Sequence, residues 1–383
     1  MTRIYVIRHA EAEGNLYRRL HGQYDSLVTP NGKRQIAALE QRFASEQVDA
    51  CYSSDLIRTC LTARAIYVPK RLPLHPDRRF REINMGVWED VPFGYVGHFT
   101  PEALDTFNLN PAAWQVAGCE SYLAYSGRFI EAMTEAAEAN DGKTIAIFSH
   151  GSVIRGMMMR LFYGAEHPEE TGHCDNTGVT LLEYDNGSYH LIYKNDNTHL
   201  SPEISTLAQQ NWWKENGQKL DHNLWYRPVG GDQETYLAFR RDAWQNLYGN
   251  LDGFLEEGFW QDACRCAAQQ PEALVFAMLG DQIVGVLQLD LDRKVSQNAG
   301  YIPFYYMTPE ARNHGFGVQL LGHAISVCRP LGRSSLQLAV SPRNAQALRF
   351  YRRYGFSEIG HTPGHCENLI LMELSIDRTP YQL

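Results

Sequence analysis

Several features that would assign a protein class directly are missing from this sequence of 383 residues. It has no run of about 18 apolar residues, which argues against a membrane-spanning helix. Its N-terminus turns polar after Ile7, too soon for a secretory signal. The eight cysteines are scattered and form no CxxC pair, so we expect reduced thiols and a cytoplasmic location rather than a disulfide framework.

The charge balance and the lack of repeats narrow the possibilities further. The net charge is −9, which disfavours non-specific binding to nucleic acid or to an anionic membrane. No tandem repeat or low-complexity tract is present, and the length predicts two or three globular domains.

The first half of the chain alternates strand and helix patterns. Apolar strands are predicted at Ile4–Ile7, Ala50–Ser53 and Thr144–Phe148, with helices at Asp55–Tyr67, Arg128–Ala139 and Gly151–Phe162. Val179–Tyr184 and Tyr189–Lys194 flank Asp185-Asn186-Gly187, which is typical of a β-hairpin. The alternation predicts a mostly parallel sheet with helices on both faces.

A second α/β unit is predicted after Tyr226. Residues 195–225 are expected to be a packed connector with a helix at Leu207–Lys219, because Trp212 and Trp213 make disorder improbable. Beyond it the patterns predict the following elements: helices Asp232–Tyr248, Phe254–Gln269, Gly317–Cys328 and Ala345–Tyr354, and strands Leu274–Met278, Ile283–Asp290, Gly300–Met307, Ser335–Val340 and Leu369–Leu374.

The stretch RHAEAEGN, residues 8–15, places a histidine next to an arginine where the first strand ends. A neutral imidazole can attack phosphorus and so divide one difficult displacement into two easier ones. Such a transfer also needs cations to hold the phosphoryl oxygens, and a guanidinium grips phosphate in a bidentate fork. Arg8 is adjacent to His9, and Arg58, Glu82 and His150 occur at positions from which they could meet it, since strand ends share one edge of an open sheet.

These motifs resemble those of the histidine phosphatase superfamily, the phosphoglycerate-mutase-like fold. The similar stretches are RHAEAEGN, GQYDSLVTPNGKRQ, YSSDLIRTCLTA, REINMGVWED, SHGSVIRG and NTGVTLLEY, and they occur in order within residues 1–194. The resemblance implies His9 as the nucleophile and Glu82 as the proton donor to the leaving oxygen. It also implies that Arg8, Asn15, Arg58 and His150 bind phosphate, and that no metal is required. Ala10 stands where a glycine is usual.

The choice between phosphatase and mutase depends on the cap, expected at about residues 89–127. The acidic loop is short, as in the phosphatase branch, and the cap contains no Lys or Arg. A mutase must hold a second anionic group, which calls for extra cations; Arg18 and Arg19 in the first loop could supply some. We therefore expect a phosphomonoesterase whose leaving group has an apolar or aromatic part. The cap aromatics could bind it as a group, although for any single one of them a place in the core is the favoured role: Phe93, Tyr95, Phe99, Phe107, Trp114, Tyr122 and Tyr125.

The most informative stretch of the second half is YYMTPEARNHGFGVQLLGHAI, residues 305–325. Gly315 and Gly317 lie between a strand and a helix, where backbone N–H groups can approach a diphosphate and the helix dipole favours anions. The pattern lacks the third glycine of a GxGxxG fingerprint and the Lys-Ser/Thr of a P-loop.

Together with SPRNAQALRFYRRYGF, residues 341–356, this stretch resembles the GNAT-type N-acetyltransferases over about residues 226–376. The resemblance implies acetyl-CoA as cosubstrate and Tyr351 as proton donor to the departing thiolate. The residues it implies for cofactor binding are Met307, Arg312, Asn313, His314, Gly315, Phe316, Gly317, Val318 and Asn344. It also implies that strand residues 305–307 pair with the pantetheine arm.

Two further features stay open at this point. The base that accepts the amine proton could be Glu256, Glu257, Asp290 or Tyr305, each of which could also be structural, or water. His361, His365 and Cys366 could bind a metal, but a structural zinc site wants four ligands, so a loop without metal is preferred.

The sequence therefore predicts an α/β protein with two domains: a three-layer α/β/α histidine-phosphatase fold at 1–194 and a mixed α/β GNAT fold at 226–383, joined by the helical connector at 195–225. We expect a bifunctional enzyme with a small phosphorylated metabolite and a small amine as substrates, possibly one molecule, and no nucleic-acid or membrane partner. The alternatives are a non-catalytic phospholigand sensor attached to an acetyltransferase, or a phosphoglycerate-mutase-type phosphotransferase. The oligomeric state is not predicted.

Overall fold

The computed structural model describes residues 1–210, 223–365 and 367–381. The chain divides into two compact units. The first comprises Met1–Val91, Phe99–Leu220 and Tyr381–Leu383, and the second comprises Pro92–His98 and Asp221–Pro380. In this division residues 92–98 of the expected cap group with the second unit, and residues 195–210 of the expected connector group with the first. Among the described residues, no helix combines the length and apolar character needed to cross a bilayer.

The first unit is built on a six-stranded mixed sheet in the order β3-β2-β4-β1-β5-β6. Its strands are β1 (Thr2–Arg8), β2 (Ala50–Ser53), β3 (Leu74–Pro76), β4 (Thr144–Ser149), β5 (Val179–Asp185) and β6 (Ser188–Asp196). The four strands β1 to β4 pair in parallel, and β5 and β6 add antiparallel at one edge. The sheet is therefore parallel where the predicted site lies and mixed overall.

The first 160 residues form the following α-helices: α1 (Glu13–Tyr17), α2 (Pro30–Arg42), α3 (Ile57–Lys70), α4 (Phe93–Phe99), α5 (Pro101–Leu109), α6 (Tyr122–Glu138) and α7 (Gly151–Met158). The helix predicted at Gly151–Phe162 changes to a π-helical turn at Met159–Tyr163. The short helices α1, α4 and α5 and strand β3 were not predicted, because three to nine residues give too little periodicity to recognise.

Both faces of the first sheet are covered. Tyr5 and Ile7 of β1 pack in one buried cluster with Leu39 of α2 and Ile66 of α3. Alternate residues of a strand point to opposite faces, and on the other side the Thr2 hydroxyl donates to the carbonyl of Ala137 in α6. This arrangement confirms the predicted α/β/α layering.

The predicted hairpin between β5 and β6 is confirmed. Asp185 pairs with Ser188, so the turn has only two central residues. Asn186 and Gly187 both have positive φ, 48° and 82°, which is the type I′ geometry that Asn-Gly favours.

The second unit has a seven-stranded sheet in the order β12-β13-β11-β10-β9-β8-β7. Its strands are β7 (Trp225–Pro228), β8 (Leu274–Leu279), β9 (Gln282–Asp290), β10 (Ala299–Met307), β11 (Ser335–Val340), β12 (Ser357–Pro363) and β13 (Asn368–Ser375). Its further helices are α8 (Gln233–Tyr248), α9 (Glu256–Gln269), α10 (Gly317–Cys328) and α11 (Ala345–Arg353). All predicted elements of this half are present, and β7 and β12 were missed.

Only part of the predicted connector, residues 195–225, lies within the described residues. Residues 207–210 form turns rather than helix, and residues 211–219 of the predicted helix, with Trp212 and Trp213, lie outside the described residues.

Candidate active sites

The two site histidines lie at one edge of the first sheet. Strands β1 and β4 are parallel neighbours with Arg8 opposite Ser149, so the residues that follow, His9 and His150, emerge side by side. Their ring centroids are 5.2 Å apart. The proximity expected from the sequence is therefore present.

His9 is held in the form that a nucleophile requires. Its Nδ1 lies 2.7 Å from the carbonyl oxygen of Ala10. A carbonyl can only accept, so Nδ1 carries the hydrogen and the lone pair lies on Nε2. Burial, followed by the positive charges of Arg58 and Arg8, lowers the pKa of His9 well below its usual range. The ring is therefore neutral at physiological pH.

Arg58 and His150 form a buried pair beside His9. Arg58 is 1% exposed and its Nε donates to Nδ1 of His150 over 3.2 Å. The remaining ring hydrogen of His150 is then on Nε2, which donates to Oγ of Ser54 at 2.9 Å. Other guanidinium N–H groups donate to the carbonyls of Gly22 and Tyr24. Burial lowers the pKa of Arg58 to about 10 and that of His150 well below its usual range.

Arg8 has an unused donor in this setting. One guanidinium nitrogen donates to the carbonyl of Cys174, whereas Nε is buried and has no hydrogen-bond partner within the described part of the chain. A Cβ on Gly151 would come within 3.2 Å of that nitrogen, so the glycine lets the guanidinium lie against the start of α7. An unsatisfied buried donor next to a nucleophile suits an anionic ligand.

Glu82 is fixed at the N-terminus of α7. Its carboxylate accepts from the backbone N–H groups of Ile83, Ser152 and Val153 at 2.9 to 3.0 Å. The first N–H groups of a helix lack intrahelical partners, and a carboxylate satisfies them. Glu82 is thus positioned by the same helix start that follows His150.

The loop that contains Asn176 contacts the backbone of His9 and the side chain of Asn15, although the sequence did not assign this residue to the site. Nδ2 of Asn176 donates to the carbonyl of His9 at 3.0 Å and contacts Oδ1 of Asn15 at 3.3 Å. Oδ1 of Asn15 also accepts from the N–H of Ala12. The motif NTGVTLLEY contains Asn176, but no charge or ligand pattern marks this residue, and only the fold shows its contact with His9.

Residues 197–207, called here the bracing segment, hold that loop in place. The buried carboxylate of Asp175 accepts from Ser205 Oγ, Asn197 Nδ2 and the N–H of Leu207. Thr206 donates to Glu11. Asp175 directly precedes Asn176, and Asn176 donates to the carbonyl of His9. The bracing segment is therefore connected to His9 through Asp175 and Asn176.

The cap region contains less free aromatic surface than the sequence suggested. Trp114 and Tyr125 are 2% and 1% exposed, and Trp114 packs against the rings of Phe107 and Trp88. Trp114, Tyr122 and Tyr125 therefore belong to the core, Phe93 and Phe107 are partly buried, and Tyr95 and Phe99 are 45% and 50% exposed.

The positive charge of Arg19, in the first loop, is compensated by the carboxylate of Asp90. Nε of Arg19 lies 2.6 Å from Oδ1 of Asp90, which also contacts Nε2 of His21 at 2.9 Å. Arg19 is therefore not available to bind a second anionic group.

In the second unit, strands β10 and β11 stop pairing before residues 305–307, which were predicted to pair with the pantetheine arm of the cofactor. The parallel pairing of β10 with β11 runs from Ala299 opposite Ser335 to Ile302 opposite Leu338 and then stops. Within the described residues, the remainder of β10 through Met307 pairs only with β9. Its other edge therefore presents backbone donors and acceptors that an extended ligand can use.

The loop before α10 provides backbone donors. Asn313 and Gly315 have positive φ, 65° and 81°, and α10 follows at once from Gly317. In the described structure the N–H groups of residues 313–318 make no hydrogen bond to other parts of the chain. The loop and the helix N-terminus thus form an anion-binding concavity. The side chain of Arg312 instead donates to the carbonyl of Met307 and lies 3.7 Å from Asp242.

Tyr351 lies near this opening. It is 7% exposed, burial raises its pKa, and its ring centroid is 6.1 Å from that of Tyr305. Tyr305 comes from β10 and donates its hydroxyl to the carbonyl of Gly317. Asn344 caps α11 by accepting from the N–H of Ala347, a structural role that the sequence did not assign.

The acceptor-base candidates are mostly engaged elsewhere. Glu256 pairs with Arg241 at 2.5 Å and Asp290 pairs with Arg265 at 2.5 Å. Asp262, Cys266 and Asp290 lie close enough to hold a metal, but Arg265 already contacts both carboxylates. In the possible His361, His365 and Cys366 group, His365 packs against Trp244, and Cys366 lies outside the described residues. No acceptor base is therefore identified.

Comparisons with known proteins match the two units separately. Residues 4–197 match the sequence model of the histidine phosphatase superfamily (branch 1), and residues 236–356 match that of the acetyltransferase (GNAT) family. The structure of YhfR from Bacillus stearothermophilus superposes with a TM-score of 0.50 at 28% identity, covering 52% of this chain and 99% of that one.

Curated relatives cover the first unit and carry two kinds of name. Phosphoserine phosphatase 1 of Hydrogenobacter thermophilus is 29% identical over 198 residues, which is 50% of this chain and 87% of the relative. A probable phosphoglycerate mutase GpmB of Yersinia pestis is 30% identical over 188 residues, 48% of this chain and 86% of the relative. The similarity establishes the family without separating hydrolysis from phosphoryl transfer.

Proposed function

We propose that this chain, which belongs to the histidine phosphatase superfamily over residues 4–197 and carries a GNAT acetyltransferase domain over residues 236–356, catalyses two reactions. The first unit hydrolyses a phosphomonoester through a phosphohistidine. The second transfers an acetyl group from acetyl-CoA to a small amine. The observation that carries the first assignment is the neutral, tautomer-fixed His9 between Arg58 and the open donor of Arg8.

The phosphatase reaction has two displacements. Nε2 of His9 attacks phosphorus while the ester P–O bond breaks, and the leaving oxygen takes a proton from Glu82. Arg8, Arg58 and Asn15 hold the phosphoryl oxygens, and His150 joins them when its Nε2–H leaves the hydroxyl of Ser54 for a phosphoryl oxygen. Holding these oxygens is the main requirement of such a transfer. Water then attacks the phosphohistidine, loses its proton to Glu82 and releases inorganic phosphate with His9 neutral again.

Glu82 can take up and release a proton without losing a hydrogen bond. Its Oε1 accepts the N–H groups of Ile83 and Val153, whereas Oε2 accepts only that of Ser152, so one lone pair of Oε2 remains for the proton. The N–H groups then hold the ionised form after the proton has left.

Hydrolysis is favoured over mutase chemistry by the charges around the cap. No Lys or Arg occurs in residues 89–127, and the charge of Arg19 is compensated by Asp90. A mutase needs cations there to hold the second anionic group of a bisphosphorylated substrate.

The acyl-transfer site is supported by backbone geometry. Acetyl-CoA would supply the acyl group as a thioester. The N–H groups of 313–318 and the N-terminus of α10 would bind its diphosphate, and the open edge of β10 up to Met307 would pair with its pantetheine arm. The Tyr351 hydroxyl would protonate the departing sulfur, since a phenol kept neutral by burial retains a proton to donate.

The joining of the two domains supports the proposal that one small molecule bears both the phosphate and the amine. The same proposal places the protein in the cytoplasm, where acetyl-CoA and phosphorylated metabolites are present. No metal is assigned to either reaction.

The test is a panel of phosphomonoesters crossed with a panel of primary amines. Phosphate release and free CoA release are both measured, and acid-labile phosphate on His9 is trapped by rapid denaturation. If both units are enzymes, turnover is expected in both assays. Absence of phosphate release across the panel, with acyl transfer altered by a phospholigand, would favour the sensor. Faster interconversion of phosphoglycerates than phosphate release would favour the mutase.

A further inference from the structure

A short segment of the phosphatase part of the chain belongs structurally to the second unit. Residues 92–98, called here the cap segment, lie inside the match to the histidine phosphatase superfamily, residues 4–197. They nevertheless group with Asp221–Pro380 and not with the residues on either side of them. The cap segment contains most of helix α4. Its position therefore depends on contacts within the second unit.

The cap segment packs closely against the residues at the start of β7. A Cβ on Gly94 would collide with the carbonyl oxygen of Leu224, so the glycine permits an approach of two backbones that a larger residue would prevent. The ring of His98 stacks on that of Trp225, with centroids 4.5 Å apart and planes inclined by 17°. These contacts fix the cap segment to the chain that leads into β7.

The same chain is hydrogen-bonded to the helix of the candidate cofactor site. The N–H of Leu224 donates to Oε1 of Gln319 at 2.8 Å, and both residues are buried. Gln319 lies in the first turn of α10, two residues after Gly317. An anion at a helix N-terminus binds the first N–H groups of the helix. A diphosphate bound there would therefore restrain the turn that carries Gln319.

The peptide bond between Val91 and Pro92 joins the cap segment to the first unit. In that unit the carboxylate of Glu89 accepts from the N–H of Tyr24 at 2.9 Å. The carbonyl of Tyr24 in turn accepts from Nη1 of Arg58 at 2.8 Å. A displacement of the cap segment can therefore alter the position of the guanidinium that is proposed to bind phosphate.

We propose that acetyl-CoA bound to the second unit strengthens phosphate binding at the first site, because it restrains the cap segment through Gln319 and Leu224. This inference rests on the two functions proposed above. A site that is already restrained by one ligand loses less conformational entropy when the second ligand binds, so the coupling is positive. Hydrolysis is then most efficient while the acyl donor is bound, and the two reactions are coordinated without a shared site.

Coupling between two binding sites is reciprocal, and this property provides the first experiment. Tungstate, a tetrahedral oxyanion that mimics phosphate, is titrated calorimetrically into the full chain with and without saturating CoA. CoA is then titrated with and without saturating tungstate. We expect both dissociation constants to fall by the same factor, about 5- to 20-fold. Constants that fall by less than about twofold, or that rise, would overturn the proposal.

A control ligand separates this coupling from direct binding of CoA at the first site. CoA carries a phosphomonoester on its ribose, which could itself occupy the phosphate site. Dephospho-CoA lacks this group but retains the diphosphate and the pantetheine arm, so at saturation it should lower the dissociation constant of tungstate as CoA does. An effect of CoA that dephospho-CoA does not reproduce would refute the coupling.

The second experiment tests the role of the cap segment with Gly94→Ala. The added methyl group cannot fit against the carbonyl of Leu224, so the cap segment must shift and the coupling factor should fall below about two. Gly258→Ala is the matched control, because Gly258 is also a helical glycine of the second unit, but a Cβ there would lie 3.8 Å from its nearest neighbour, Leu255. Full coupling in Gly94→Ala would contradict the proposal.

A second variant decides the question if Gly94→Ala does not fold. Gln319→Leu removes the acceptor of the Leu224 N–H and should also lower the coupling factor, whereas Gln319→Glu keeps an acceptor oxygen and should preserve it. Gln337→Leu, at another buried glutamine of the second unit, is the control and should leave the factor unchanged. Equal coupling in Gln319→Leu and Gln337→Leu would count against the proposal.

These measurements distinguish the coupling from the functions on which it rests. Absence of CoA binding, or absence of phosphate release from every ester of the panel, refutes one of the proposed functions and the coupling with it. Binding of both ligands with dissociation constants that are independent of each other refutes the coupling alone.

Discussion

The two candidate sites of this chain are built from different kinds of chemical group. In the first unit, the candidate binding groups are buried side chains: Arg58 is 1% exposed and His150 is fully buried, and each has defined partners. In the second unit, the candidate binding groups are backbone N–H and C=O groups of an exposed loop and of a strand edge that pairs with no described strand. Side chains there, such as Arg312 and Asn344, have structural partners of their own.

This difference has a physical origin. A transferring phosphoryl group needs charge placed in three dimensions around it, and only rigidly held cations supply this. A diphosphate and an amide-rich arm need a row of donors and acceptors, which strand and helix ends already possess. We therefore expect the first site to respond to changes of side-chain chemistry and the second to changes of backbone conformation.

The largest expected effect is that of His9→Ala. Removing the nucleophile should lower phosphate release by at least about 10³-fold and abolish the acid-labile phosphoprotein, while CoA release continues. His190→Ala, at an exposed histidine of β6, is the control. Substantial phosphate release in His9→Ala would contradict the assigned nucleophile.

The next largest effect is expected from a change of pH, which should alter the rate of acyl transfer much more than the rate of phosphate release. A primary amine attacks only when neutral, so its reactive fraction falls about tenfold per pH unit below its pKa. Between pH 7.5 and 5.5 acyl transfer should therefore fall up to about 100-fold. Phosphate release should change little, because the lowered pKa of His9 keeps that ring neutral. Initial rates across this range are the measurement, and a parallel loss of both activities would contradict the assignment.

The same histidines make stability depend on pH. In the unfolded chain, His9 and His150 take up protons near pH 6.5, whereas in the folded chain they stay neutral to lower pH. The unfolded state binds more protons, so the free energy of unfolding falls as the pH drops below 6.5. Urea unfolding midpoints measured without substrate between pH 7.5 and 5.5 check this effect and separate it from the titration of substrate; a midpoint that does not fall would contradict it.

Gly315→Val should affect the second site alone. A β-branched residue is strained at the positive φ of Gly315, 81°, so the loop would lose the conformation that exposes its N–H groups. We expect KM for acetyl-CoA to rise about tenfold or more and phosphate release to be unchanged. Gly332→Val is the matched control, because Gly332 also has positive φ, 72°, but lies beyond α10. An equal rise of KM in both variants would argue against the loop.

The smallest expected effect is that of Asp175→Asn. The asparagine keeps the shape but weakens the contacts with Ser205 and Leu207, so the loop that holds His9 becomes less well positioned. We expect kcat for phosphate release to fall about 5- to 10-fold with little change in KM, on the order of one hydrogen bond to a charged group. Asp185→Asn, in the exposed hairpin turn, is the control. A loss that matches only the fraction of unfolded protein would refute a positioning role.

The sequence predicted both folds and most of the first site because the responsible signals are local. A strand followed by Arg8-His9 and a strand followed by His150 require only that parallel strands share an edge. Asn176 was not predicted as part of the site, because its role depends on contacts with His9 and Asn15, which are far from it in the sequence.

The second site was predicted from the family resemblance both as backbone groups and as side chains. The glycines of the loop indicated where backbone N–H groups are exposed, and Gly315 has a positive φ of 81°. Side chains that the resemblance assigned to the cofactor, such as Arg312 and Asn344, have partners within the chain. The residue at which β10 stops pairing with β11, Ile302, could not be predicted from composition, because strand pairing depends on contacts between residues far apart in the sequence.

The bracing segment bears on how this protein can be divided by experiment. The family match ends at residue 197, yet Ser205 and Thr206, beyond it, contact Asp175 and Glu11. A phosphatase fragment cut at residue 197 would lose these two contacts and should turn over more slowly than one that runs through residue 210. The functional boundary of a domain can thus lie beyond the last residue that its family shares.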